Sequence, residues 1–298
     1  MSCADDPAPL SDEIVSARAA RLCKISEDTW RKVGGEAPVY IVGTEVPVPG
    51  GPTELIEGLT VTSEKDANAT IAAHKKAFER EGIEHVWPRV IGLVVQPGVE
   101  FDHHNVIDYR SDGALWLSKM IESEPHMVYE THSTDYQTPA NLRTLVRDHF
   151  AILKVGPGLT FALREALWAL DQIESEWIVV EKSSNLKKTV LSVMAENPVY
   201  WKSYYSGSTT QQKFDCQYSL SDRIRYYWPD KKVLKALSIM EDNFENNPPP
   251  LTLISQYLPE VYHAIRNREI ENRVEAIIIY KVSLVLDSYF DACKTDSL

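Results

Sequence analysis

The chain has 298 residues, of which 44% are hydrophobic and 25% charged, and it carries a formal net charge of −12. That length buries a real core in one large domain or two small ones, and such ordinary globular composition excludes a mainly disordered chain. The acidic balance, without a basic run anywhere, excludes a nucleic-acid or anionic-membrane surface, because displacing counterions from phosphates needs clustered Lys and Arg.

The opening "MSCADDPAPLSDEI" reads as a loop leading into a helix: Pro7 and Pro9 break structure, Ser11 is placed to cap, and Asp12 and Glu13 fill the first turn. Four runs rich in β-branched residues follow: "VYIVGTE" (39–45), "RVIGLVVQPG" (89–98), "MVYETHS" (127–133) and "FAILKVG" (150–156). Each is nearly continuous in apolar residues, the pattern of a parallel strand covered on both faces. Each is also followed by a helical pattern. After the first, Ala67, Ile71, His74 and Phe78 share one face; "SDGALWLSKMIES" and "TPANLRTLVRDH" follow the second and third. After the fourth, Leu159, Leu163, Ala166, Leu167 and Leu170 form a stripe in "LTFALREALWALDQI".

The chain is thus an α/β tandem of about four βα units over residues 1–175, building either an open doubly wound sheet or part of a (β/α)8 barrel. From residue 176 to 298 the strands stop, and a helical, aromatic extension is expected, with "NNPPP" (246–250) as its internal linker. Within it, "AIIIYKVSLVL" (276–286) is only about half the roughly 20 residues of a membrane span and is expected as a buried helix. Cys3, Cys23, Cys216 and Cys293 lie far apart without a CxxC pair, which suits reduced thiols in the cytoplasm, and no signal peptide precedes them.

Polar residues gather where the expected strands end: Thr44 and Glu45, then Gln96, then Glu130, His132 and Asp135, then Lys154 and Gly156. That carboxyl edge is where both architectures place their sites. Alternation puts Glu130 and His132 on one side of a strand, where they can transfer protons or, through His132, ligate a metal. The plainer alternative is that His132 bonds a loop carbonyl. Ser133 and Asp135 follow at once. Lys154, on a strand between apolar neighbours, is open to three roles: Schiff-base nucleophile, ion-pair partner of Glu130 on the neighbouring strand, or phosphate ligand. In "KVGPGLTF", Gly156 and Gly158 precede a helix expected from about Leu159, so backbone amides and the Thr160 hydroxyl can meet an anion, unless the glycines serve only a tight turn.

His103 and His104 form a loop pair without a third ligand at metal spacing, and His74 falls on an apolar helix face as a core histidine. Arg223 and Arg225 of "SDRIRYYW" can bind phosphate or line a partner surface. No P-loop, dinucleotide fingerprint or GxSxG elbow occurs.

Taken in order, "MSCADDP", "YIVGTEVPVPGG", "VVQPGVEFDH", "MVYETHSTDYQT", "HFAILKVGPGLTFALREA", "YSLSDRIRYYWP" and "ISQYLP" resemble the non-catalytic subunit family of bacterial class II D-tagatose-1,6-bisphosphate aldolase, over nearly the whole chain. The resemblance implies an aldolase-type TIM barrel with a helical C-terminal extension, acting in galactitol or N-acetylgalactosamine catabolism in the cytoplasm. It implies a partner, the separate zinc-dependent catalytic subunit that such proteins stabilise and activate, and an older label, tagatose-6-phosphate kinase, which the missing nucleotide motif speaks against. It also implies a rival, since some relatives are sugar-phosphate 4-epimerases working by retro-aldol cleavage, for which Glu130, His132 and Asp135, with a divalent metal such as zinc, are the recruits. An assembly chaperone without ligand is a third class. Sugar-phosphate contacts are expected from Glu45, Gln96, Ser133, Lys154, Gly156, Gly158, Thr160, Arg223 and Arg225. Family members carry four further βα units ahead of the segment resembling "MSCADDP", so this chain is expected to be the C-terminal half of a barrel. Its unpaired strand edges then invite self-association, and independent catalysis is not expected.

Overall fold

A computed structural model of the chain describes residues 10–43 and 59–294; the opening "MSCADDPAP", Thr44 and Glu45 lie outside the described residues. The described residues form two compact units. The first holds the chain up to Phe101, Val106–Val155 and the end from Asp291, and the second holds Asp102–Asn105 and Gly156–Phe290.

In the first unit α1 (Asp12–Val33) begins on Ser11, whose hydroxyl accepts from the Ile14 amide, and closes with Arg31 and Lys32 against the negative end of its dipole. β1 (Tyr40–Val42), α2 (Glu64–Glu81) and β2 (Val90–Val94) come next, then a short antiparallel pair, β3 (Glu100–Phe101) with β4 (Val106–Ile107). α3 (Ser111–Ile121), β5 (Val128–Thr131), α4 (Pro139–Arg147) and β6 (Ile152–Leu153) complete it. The four main strands make one parallel sheet in the order β1-β2-β5-β6, the chain order of the four expected strands, each shorter than its apolar run. In α2, Ala67, Ile71, His74 and Phe78 are all buried on one face. His74 donates through Nδ1 to the Thr70 carbonyl at 2.8 Å, and burial holds its imidazole below the usual value.

Register assigns the two sheet faces. Leu93 pairs with Tyr129, and the Tyr129 hydroxyl donates to the Leu117 carbonyl of α3 at 2.6 Å, so this face meets a helix. Val94 pairs with Glu130 and Glu130 with Ile152, so these alternate positions line the other face. Gly92 lies on it too. A Cβ there would come within 3.1 Å of Ile152 and 3.2 Å of Ile41, so glycine lets those two side chains close over the middle of the sheet.

The second unit is helical: α5 (Pro157–Trp177), α6 (Leu186–Glu196), α7 (Thr209–Tyr218), α8 (Lys231–Asn246), α9 (Leu251–Tyr257), α10 (Pro259–Arg266) and α11 (Val274–Cys293, to Phe290 within this unit). "NNPPP" separates α8 from α9. Leu167, Leu170 and Ile173 of α5 share one core with Val190, Met240 and Ile254. The strand pattern divides the chain after α5; in the fold, α5 packs with the helices that follow it. The expectation of a buried C-terminal helix is corrected. In α11 Val274 and Ile277 reach the core, but residues 278–286 are half-buried or exposed and Ile279 is 56% exposed, because one stripe of the helix packs and the others do not. Among the described residues no helix is long and apolar enough to cross a membrane.

Candidate functional site

β5 and β6 bring three of the expected residues together at the carboxyl end of the sheet. Glu130 and His132 are two positions apart on β5 and its exit, and Lys154 is two positions beyond Ile152, Glu130's partner in register. All three side chains therefore leave the same face. The Glu130 carboxylate, only 5% exposed, accepts from His132 Nε2 at 3.0 Å on Oε1, and the Lys154 ammonium lies 3.3 Å from the same oxygen. His132 is 24% exposed and Lys154 52%, so a sunken anion is covered by two donors that reach solvent. Glu130 Oε2 is buried without a hydrogen-bond partner among the described residues. Of the three roles open to Lys154, the geometry places it in the ion pair.

Backbone bonds hold this arrangement. The Lys154 amide donates to the Thr131 carbonyl at 3.0 Å, and the buried Thr134 hydroxyl donates back to the Lys154 carbonyl. The loop after β5 is bent hard: of five described non-glycine residues with positive φ, two are Ser133 (53°) and Tyr136 (66°). Such conformations persist only where surroundings over-determine them. Here Tyr136 meets Phe101 edge-on at 5.1 Å, and the Gln137 amide donates to the Ile107 carbonyl at 2.8 Å while accepting from the Tyr109 amide at 2.9 Å.

That clamp places one residue that sequence reasoning missed. Glu100, on β3, is buried; its carboxylate accepts from the Phe101 amide at 3.0 Å and from the Ser133 hydroxyl. Burial pushes its carboxyl up, and the nearby Asp135 charge adds to the push against those two bonds. Asp135 is itself buried. The sequence holds one signal for Glu100, a carboxylate flanked by Val99 and Phe101 on an otherwise apolar run.

The remaining expected residues have local partners of their own. The Gln96 side-chain oxygen accepts from the Gly98 amide at 2.8 Å and the Val99 amide at 3.0 Å, shaping its own loop. Gly156 caps α5, which starts at Pro157 rather than near Leu159, and the Thr160 hydroxyl donates to the Pro157 carbonyl at 3.0 Å; Gly158 is buried in the first turn. Arg223 is buried in the second unit, 3.6 Å above the Tyr204 ring, and its Nε donates to the Tyr200 carbonyl at 2.7 Å. Arg225 lies over Tyr226 at 5.3 Å. His103 and His104 take separate partners: His104 Nε2 meets Asp215 at 2.7 Å, and His103 meets Ser219 and the Tyr204 carbonyl.

A divalent metal does not fit the cluster as it stands. One imidazole and one carboxylate are available, and the third neighbour is an ammonium occupying the position a cation would take. Among the described residues no three His, Cys, Asp or Glu side chains gather as metal donors.

A family model described as D-tagatose-1,6-bisphosphate aldolase subunit GatZ/KbaZ-like matches residues 1–294. The chain belongs to this family. The resemblance carried by the sequence motifs is thereby borne out, and membership implies a tagatose-bisphosphate aldolase subunit of carbohydrate metabolism. A solved structure from Sinorhizobium meliloti 1021, described as a probable tagatose 6 phosphate kinase, superposes with a TM-score of 0.88 at 44% identity over 98% of this chain and 71% of that one. The kinase description agrees with the older label of the family, while this GatZ/KbaZ-like chain carries no GxxxxGK(S/T) nucleotide loop.

Proposed function

We propose that this chain is an accessory subunit that supports a separate class II catalytic subunit cleaving tagatose 1,6-bisphosphate, in the cytoplasmic breakdown of tagatose 6-phosphate from galactitol or N-acetylgalactosamine. The observation that carries the reading is the Lys154 ammonium on Glu130: the pair fills a strand-end site with its own cation and leaves the metal chemistry to a partner. In this reading the parallel sheet belongs to a barrel to which residues 1–175 contribute, and residues 176–298 form the extension. The exposed outer side of β1 is then the edge through which the chain self-associates when alone. The half-exposed Lys154 and His132 are suited to a sugar phosphate. Ser133 and Gln96, in the same compact unit, remain candidate contacts to it.

Purified catalytic subunit with tagatose 1,6-bisphosphate, assayed with and without this chain, tests the reading. The chain alone is expected to be inert, and its addition to raise turnover by about tenfold or more. Turnover by this chain alone sinks it.

One observation favours a second reading, a sugar-phosphate 4-epimerase or lyase. Retro-aldol cleavage begins by taking the proton of the hydroxyl on the carbon being released, and Glu130 Oε2, which has no hydrogen-bond partner among the described residues, would accept that hydrogen bond once its cover turns to the ligand. His132, bonded to the other oxygen, would then hand the proton on. Epimerised tagatose 6-phosphate in the assay without partner is its signature.

A further inference from the structure

We propose that the cleft between α6 and α7 in the helical unit binds a medium-chain amphiphilic monocarboxylate, its carboxylate held by Lys213 and the amino end of α7 and its apolar body by Leu191, Met194 and Trp201. This site goes beyond the subunit role and serves as an effector site within the helical extension. The cavity measures about 440 Å³, inside the roughly 300–1,000 Å³ range of small-ligand sites.

Its floor is apolar where Leu191, Met194 and Trp201 line it, and the polar donors beside them are already committed. Trp201 donates its indole N–H to the Met194 carbonyl at 2.8 Å and so offers only ring carbon. Cys216 forms part of the wall, and burial pushes its thiol up to about 12, so it stays neutral. The side-chain amides of Gln212 and Gln217 donate to the Tyr205 and Lys213 carbonyls.

The one charged side chain on the lining is positive. The Lys213 ammonium, on the cleft lining, has neither hydrogen bond nor ion pair among the described residues, although the chain holds 43 acidic residues to 31 basic ones. Thr209, one helical turn earlier, shares its face. It is the first residue of a ten-residue helix whose cap, Ser208, serves the amides of Gln211 and Gln212, so the Thr209 amide is among those the helix itself does not satisfy. A cation beside a helix amino end, above an apolar floor, matches an anionic head on an apolar tail. A sugar phosphate would set its hydroxyls against the apolar Leu191, Met194 and Trp201, and a neutral apolar ligand would leave the ammonium unused.

Calorimetric titration of the full chain with octanoate, using octanamide as the uncharged control, tests the site. One saturable site with Kd below about 1 mM is expected, with octanamide at least about tenfold weaker and Lys213→Ala erasing that preference. Ala195 is exposed on the cleft lining, so Ala195→Phe should fill the cavity and abolish binding while the thermal midpoint holds. The proposal falls if wild type gives no saturable heat, if octanamide binds equally, or if Ala195→Phe binds as before. It also falls if sedimentation reveals self-association that Ala195→Phe abolishes, which would assign the cleft to a second copy of the chain.

Discussion

Glu130 in the sheet unit and Asp222 in the helical unit are both almost wholly buried carboxylates set against hydrogen-bond donors, yet only the donors on Glu130 reach solvent. Arg164 and Asp222 are each 3% exposed and meet at 2.9 Å, Asp222 also accepts from the Ile224 amide at 2.7 Å, and the guanidinium lies 4.1 Å above Phe161. Burial pushes the Asp222 carboxyl up and Arg164 draws it back. A pair sealed in this way can exchange neither partner. His132 and Lys154, by contrast, can turn from Glu130 to a ligand without opening the core. Burial of charge alone therefore does not mark a functional site; one buried charge under partners that reach solvent is the arrangement a ligand can enter.

The largest effect should come from breaking the sealed pair. Arg164→Met leaves Asp222 uncompensated and should cost about 3–5 kcal/mol in urea denaturation, while adding Asp222→Leu should recover most of it. A single-variant cost below about 1 kcal/mol would mean the pair is not sealed. Glu130→Gln should behave the other way. Its partners regain water, so stability should fall by only about 1 kcal/mol, but the enhancement of the catalytic subunit should be lost. If Glu130→Gln instead unfolds the chain as Arg164→Met does, the open cluster is structural and the contrast fails.

Much of the sheet was legible in advance, and so were the members of the cluster, but not which of Lys154's three roles holds. β-branched runs located all four parallel strands because propensity and burial act together there. The meeting of Glu130 with Lys154 needed more: the register of β5 on β6, which a slip of one residue would reverse, sending Lys154 to the helix-covered face. Glu100 escaped because a two-residue strand has no period to read. α11 was misread because apolar composition states how hydrophobic a helix is, not how much of its surroundings is protein.

Glu100 gives a smaller and pH-dependent contrast with Glu130. Burial raises its carboxyl in the folded state, so folded protein holds that proton more tightly than unfolded protein. Its contribution is then fully present below the usual carboxylate range and is lost as pH rises through the folded value. Glu100→Gln removes the term. Relative to wild type, the variant should gain thermal midpoint at pH 8 compared with pH 4. Because Glu27, Asp102 and Asp148 are held low and act with the opposite sign in both proteins, the difference between the two isolates Glu100. A difference independent of pH would remove Glu100 from the argument.

The smallest effect on stability should come at the sheet edge, where the effect on assembly should be plain. β1 is a terminal strand of the parallel sheet, and Val39 beside it and Ile41 within it are 57% and 41% exposed. An edge strand with apolar side chains in water is a template for another chain. The chain alone should therefore sediment as a concentration-dependent oligomer. Ile41 also helps cover Gly92, and a lysine stem can keep that cover while its ammonium reaches water. Ile41→Lys should thus shift sedimentation toward monomer while changing stability by less than about 0.5 kcal/mol. Wild-type protein that stays monomeric at high concentration would show that this edge is satisfied within the chain, and the sheet unit would then be as closed as the helical one.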